Sequence, residues 1–219
     1  MSNKIINNLN LIQGNIKKIH DINDKLPKII CVSKTFSIEK LKPLIDMGHK
    51  HFGENKVQEA IEKWTEIKTN NEQIKLHMVG KLQTNKVKKA VKLFDYIHSL
   101  DNQKLADVLK KSEDELGKKL SYFIQVNIGQ EKQKSGILES EVKNFLKYCK
   151  EKNKLNIIGL MVIPPNEKNP SDYFEKIKNL NSELNLPELS MGMSSDYLEA
   201  TKYNSTFLRI GSAILGERT

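Results

Sequence analysis

Eight short apolar runs, separated by stretches of helical period, constrain this 219-residue chain more than any other feature. The runs lie at 29–33, 49–53, 76–80, 96–100, 122–128, 157–163, 189–193 and 207–210, the second being the weakest. Between them, Leu105, Val108 and Leu109 form one helical stripe, and Leu138, Val142, Phe145, Leu146 and Cys149 form another. Strands that alternate with helices imply a parallel sheet. Near-continuous runs such as YFIQVNI and IIGLMVI imply strands covered on both faces. Two architectures use this alternation, a closed (β/α)8 barrel and an open doubly wound sheet. A count of eight favours the barrel, and no G-x-G-x-x-G follows the first run. Ahead of that run, Ile5, Leu9, Ile12, Ile16 and Ile19 repeat with helical spacing and predict an extra N-terminal helix. No Pro/Gly/Ser-rich linker divides the chain, so residues 1–219 are expected to form a single α/β domain, a TIM-type barrel.

Lys and Arg number 36 against 27 Asp and Glu, a net charge of +9 that raises nucleic acid as a partner. Arginine occurs only at 209 and 218, however, so the bidentate base-reading fork is nearly absent. The most basic run, KVKKAVK at 86–92, has no interleaved aromatic residue and reads as a solvated helix face. No nucleic-acid partner is expected. No segment approaches the roughly 18 to 20 apolar residues of a membrane span, and the N-terminal segment is too polar for a signal peptide. The expected location is the cytoplasm. Cys31 and Cys149 have neither metal-ligand nor redox spacing and read as buried small hydrophobes, so no metal is expected.

In a (β/α)8 barrel, functional side chains collect at the C-terminal ends of the strands. That filter passes Lys34, Glu54, Asn55, Gly80, Gln83, Asn127, Met161, Ser194, Ser195, Arg209, Gly211 and Ser212. Lys34 has two readings, a surface loop lysine or an amine placed at the barrel mouth. A lysine partly desolvated there, near other cations, is pulled below its ordinary pKa of about 10.4 and condenses more readily with an aldehyde. The loops after the seventh and eighth strands carry Gly192, Ser194 and Ser195, then Gly211 and Ser212, each ahead of a helix. The serines read either as helix caps or as an anion cradle, and two such loops at adjacent strand ends favour phosphate. A phosphate-bearing aldehyde held by a lysine points to pyridoxal 5′-phosphate (PLP). Arg209, flanked by apolar neighbours, is either a structural ion pair or a hydrogen-bond donor to the cofactor's ring nitrogen. A permanent cation at that nitrogen makes the ring a poorer electron sink. His77 is the candidate second acid or base, though a lone histidine there more often belongs to the core. In the loop at 129–137, Lys132 and Lys134 read as solvated charge or as a means of recruiting an anion.

At these residues the sequence resembles the pyridoxal phosphate homeostasis protein family. The shared motifs are VSKT at 32–35, FGEN at 52–55, H-x-V-G-x-L-Q-x-N-K at 77–86, KSGI at 134–137, GLM at 159–161, GMSSD at 192–196 and RIGSAILGER at 209–218. The resemblance implies a barrel similar to that of alanine racemase, with PLP at its mouth and Lys34 as the Schiff base (internal aldimine). It implies Asn55 beside the ring, Arg209 at the pyridine nitrogen and Ser194, Ser195, Gly211 and Ser212 around the phosphate. Lys134 matches a lysine linked to PLP transfer. Where many members read SKTKP, this chain has Phe36 in place of the second lysine. The implied role is non-enzymatic: a monomer that stores PLP, limits free aldehyde and delivers cofactor to apo-enzymes, with no catalytic residue. The alternative is a small PLP-dependent racemase or lyase of the same fold. Racemases of this type add a further domain whose tyrosine supplies a second base, and the sequence ends soon after its eighth strand.

Overall fold

The computed structural model describes residues 2–19, 26–131, 133–165 and 169–217. Lys132 and Arg218, singled out above, lie outside the described residues. After helix α1 (Ser2–Lys17), strands β1 (Lys28–Val32), β2 (His51–Glu54), β3 (Lys75–Met78), β4 (Tyr96–Leu100), β5 (Ser121–Val126), β6 (Asn156–Val162), β7 (Glu188–Ser190) and β8 (Phe207–Ile210) follow in order. Each pairs in parallel with its sequence neighbours, and β8 returns to β1 to close the barrel. The helices between strands are α2 (Ile38–Asp46), α3 (Val57–Asn70), α4 (Val87–Leu93), α5 (Gln103–Leu116), α6 (Val142–Lys147), α7 (Pro170–Glu183) and α8 (Tyr197–Lys202). Helix α9 (Ser212–Leu215) follows β8. The (β/α)8 barrel with its N-terminal helix is therefore the fold.

Alternation along each strand sorts the side chains into two cores. Ile29 and Cys31 point outward into the layer between sheet and helices, whereas Ile30 points inward with Phe123, Met161 and Phe207. The outer layer buries Trp64, Phe52, Phe94 and Phe174 and is the larger of the two. Both cysteines lie in it, fully buried, and burial pushes each thiol pKa up. Ile5, Leu9, Ile12 and Ile16 of α1 are buried in the same layer. Ile19 falls beyond the end of the helix and is 36% exposed. Leu138 likewise departs from its expected stripe. It precedes a short 3-10 turn and is exposed, while Val142, Phe145, Leu146 and Cys149 are buried. The basic run at 86–92 behaves as a solvated face. Val87, Ala90, Val91 and Leu93 are buried, Lys88, Lys89 and Lys92 are exposed, and Lys88 pairs with Glu115 at 2.7 Å.

The inner core is unusually polar. His51, His77 and His98 form a hydrogen-bonded chain with ring nitrogens 2.9 Å apart at each step. From His98 it continues to the Ser190 hydroxyl at 2.9 Å, which lies 2.8 Å from Arg209 Nη1. Tyr96 stacks on His77 and Phe123 on His98, each with centroids 4.3 Å apart, and Phe207 meets both histidines across the barrel axis. This spine leads from the strands' N-terminal side towards the mouth. Among the described residues, no helix is long and apolar enough to cross a membrane.

Candidate functional site

The strand ends carry their side chains into a cavity of about 680 Å³ at the C-terminal mouth of the barrel. Its lining includes Lys34 after β1, Asn55 after β2, Arg209 in β8, and the serine loops after β7 and β8. Val32, Val79, Ile163 and Met193 supply the apolar wall, and Phe36 takes part in the rim. A largely apolar cleft with a few convergent polar groups, in this size range, is the usual form of a small-molecule site.

Lys34 is half-buried in a turn directly after the first strand. Thr35, next to it, adopts φ = 68°, a left-handed conformation that β-branched residues rarely take. Asn55 follows the buried Glu54, and its backbone lies against Gly80. A Cβ at position 80 would run into the Asn55 carbonyl, so the third strand's turn requires glycine. The Asn55 Oδ1 atom is buried without a hydrogen-bond partner among the described residues. A buried amide oxygen left in this state is what a ligand donor at the mouth would satisfy.

Arg209 forms the base of the cavity and is buried. Its Nη1 donates to Ser190 Oγ at 2.8 Å and its Nη2 to the Val162 carbonyl at 2.9 Å. It forms no ion pair among the described residues, so the structural ion-pair reading is replaced by two neutral acceptors. Burial pulls its pKa down to about 10, opposed by the charge of Asp196. The serines divide in role. Ser194 Oγ accepts from the amides of Gly211 at 3.3 Å and Ala213 at 3.2 Å, tying the two loops together. Ser195 and Ser212 are exposed side chains on the cavity wall. Gly192, at φ = 90°, lets the β7 loop turn. A Cβ there would lie 2.6 Å from Ala200 Cβ.

Several residues singled out in the sequence are not part of this lining: Glu54 is buried at the end of β2, Gly80 packs on the Asn55 backbone, Met161 belongs to the inner core, and Asn127 hydrogen-bonds Glu131. Lys134 is outside the cavity, paired with Glu131 at 2.5 Å and 3.4 Å from the Pro164 carbonyl. His77 is fully buried within the barrel between His51 and His98. Burial, then the neighbouring His98 and His51, hold its pKa well below the ordinary histidine range. Gln83 is exposed ahead of a short 3-10 turn. Conversely, Ser190 and Lys63 reach the site's supporting residues without a motif to mark them. Among the described residues, no group of three or more His, Cys, Asp or Glu side chains is arranged to hold a metal ion.

Comparison with known proteins identifies the family. The family model of the alanine racemase N-terminal domain matches residues 7–219. A pyridoxal phosphate homeostasis protein of Aquifex aeolicus is 38% identical over 200 residues, covering 87% of each chain. One from Haemophilus influenzae is 35% identical over 227 residues, covering 98% of this chain and 96% of the other. The solved structure of PipY from Synechococcus elongatus with PLP bound is 32% identical, with a TM-score of 0.85 over 97% of this chain and all of that one. Alanine racemase of Clostridium difficile, at 14% identity and a TM-score of 0.74, shares the fold. Matched along nearly its whole length at these identities, the chain belongs to the pyridoxal phosphate homeostasis protein family, within the alanine racemase N-terminal domain class of barrels.

Proposed function

We propose that this chain binds PLP at the barrel mouth and holds it through Lys34, as a non-enzymatic carrier in cofactor homeostasis. The observation that carries the reading is the convergence on one cavity of Lys34, Asn55, Arg209 and the Ser194–Ser195 and Gly211–Ser212 loops. The names of the relatives and the PLP-bound PipY structure support it. The residues present fit the group: an amine on one wall, two serine loops on another, a buried cation at the base and an unsatisfied amide oxygen at Asn55. PLP, when bound, would supply an aldehyde carbon for the Lys34 amine to hold. Ser195, Ser212 and the Gly211 backbone take the phosphate, with Ser194 holding their loops together. Arg209, kept cationic, would face the ring nitrogen and disfavour a proton there. Asn55 orients the ring.

The names of the relatives favour storage over turnover, and the cavity lining is consistent with it. Among its described residues are no histidine and no tyrosine, and the one carboxylate, Glu217, is exposed at the rim. A second acid or base beside Lys34 for work on a bound amino acid is therefore not found among these described residues. The carrier works as a cytoplasmic monomer and passes PLP to apo-enzymes, with Lys134, on the loop after β5, assisting hand-over. The test is borohydride reduction of purified protein incubated with PLP, followed by peptide mass spectrometry. A pyridoxyl adduct at Lys34, lost in Lys34→Ala, is expected; an undiminished adduct elsewhere in that variant overturns the assignment. Robust formation of D-alanine or D-serine from the L-isomers would establish the racemase alternative.

A further inference from the structure

Beneath the loop that carries Lys34 lies a charged cluster that does not line the cavity. Glu54, at the end of β2, is fully buried. Its Oε1 accepts from the Ser33 hydroxyl at 2.7 Å, from Lys63 Nζ at 2.8 Å and from Trp64 Nε1 at 2.9 Å. Its Oε2 is buried with no hydrogen-bond partner among the described residues. Lys63, on α3, has a side chain only 8% exposed, and its ammonium has three acceptors. These are Glu54 Oε1, the Ser33 carbonyl at 2.9 Å and Glu59 Oε1 at 3.2 Å. Glu59 Oε1 in turn accepts the main-chain N–H of Thr35.

The cluster therefore grips the chain on both sides of Lys34, which lines the cavity. On the near side it holds the Ser33 hydroxyl and carbonyl. On the far side it holds the amide of Thr35, the residue whose φ of 68° is costly for a β-branched side chain. Such a conformation persists only where its surroundings over-determine it, and the Glu59 carboxylate is one of the groups that do so. Stability alone does not account for the arrangement. A buried ion pair contributes little net stability compared with apolar side chains of the same volume, and here a carboxylate oxygen is left unpaired as well. What the pair supplies is direction: charged donors and acceptors at fixed points along the main chain from Ser33 to Thr35.

We infer that Lys63 and Glu59, anchored by the buried Glu54, are positioning residues that clamp the main chain around Lys34 and thereby deliver its amine to the cavity. The inference rests on the reading of Lys34 as the PLP-holding amine. The clamp itself is a property of the chain without PLP. Removing Lys63 frees the Ser33 carbonyl and leaves two carboxylates facing one another. Removing Glu59 releases Thr35 while sparing the Glu54–Lys63 pair.

Amide hydrogen exchange at Thr35 in the PLP-free protein and the rate of imine formation after adding PLP test the inference together. They are measured in wild type, Glu59→Ala, Lys63→Met and Lys63→Arg. In Glu59→Ala and Lys63→Met, Thr35 exchange is expected to quicken at least about tenfold. Capture of PLP is expected to slow at least about tenfold, while the final adduct remains on Lys34. Lys63→Arg, which keeps the cation and its donors, restores both. A merely structural role would lower the urea midpoint without this split between rate and final adduct, and without rescue by arginine. Glu59 is 27% exposed in its side chain, so its alanine variant keeps the question decidable even if Lys63→Met does not fold. Wild-type capture rates in a folded Glu59→Ala protein, whatever its Thr35 exchange, overturn the inference. A wild-type chain that takes up no PLP refutes the binding proposal instead, and Thr35 exchange then decides the clamp.

Discussion

Arg209 is held at the base of the cavity by two neutral acceptors, Ser190 Oγ and the Val162 carbonyl, set on different strands. Only a planar fork reaches both, so lysine is a poor substitute. Arg209→Lys is expected to leave one acceptor unsatisfied, at a cost of about 1–3 kcal/mol. It is also expected to weaken PLP binding about tenfold, read by urea denaturation and equilibrium dialysis. Gly159 is limited by space, since a Cβ there would run into the Glu188 carbonyl on the adjacent strand. Gly159→Ala should destabilise the barrel by about 1–3 kcal/mol or more in urea titration, the cost of overpacking a tight core. Among single residues, Lys34, Asn55 and Arg209 were legible from sequence because each sits beside or within a recognisable apolar strand. Ser190 and Lys63 were not, because their partners lie 19 and 30 residues away and are brought within reach by the pairing of β7 with β8 and of β1 with β2.

At the scale of elements, helix α1 is more than a leading segment. Leu9 is 1% exposed in the outer core, and Asn8 donates its side-chain amide to the Ile214 carbonyl of α9 at 3.0 Å. The helix thus braces the last helix of the barrel, whose preceding loop lines the mouth. Leu9→Ala should cost about 2–5 kcal/mol, the usual range for a buried leucine that leaves a cavity, measured by chemical denaturation. Helix α5 shows the local counterpart. Asn102 caps it by accepting from the Leu105 amide at 2.8 Å, and Gly117 ends it in a left-handed turn. Asn102→Ala should lower stability by about 1 kcal/mol. Periodicity located these elements well and placed their ends less well. Leu138 followed the helical spacing of its neighbours but stands outside the helix, because the chain makes a 3-10 turn before α6 begins. Spacing reports a face, whereas the last turn depends on hydrogen bonds that spacing does not encode.

For the whole molecule, the histidine spine sets a pH dependence. Burial holds His77 and His98 well below the ordinary histidine range, reinforced for His98 by Arg209 and His51 and for His77 by His98, His51, Lys28 and Lys68. His51, nearer solvent, is brought down to about 4 by burial and by His49, Lys28 and Lys75, with Asp95 opposing. The unfolded chain protonates these groups near pH 6.5 while the folded chain does not. Stability is therefore complete above that pH and falls as the pH drops towards 4. Each fully buried histidine adds to that fall, which steepens as the pH drops further below about 6.5. Urea midpoints should be level from pH 7 to 8 and decline steadily between pH 6.5 and 4.5; a level profile through that range would contradict the neutral spine. The sequence by itself determined the eight-fold alternation, the strand ends and the residue types placed there, because apolar periodicity and glycine turns are local properties. Only the tertiary structure decided which side chains share the cavity, that His77 lies in the core and Lys134 outside the mouth, and that Glu54, Lys63 and Glu59 brace Lys34. Those relations depend on strand register and on closure of β8 against β1, which bring together groups that no local spacing connects.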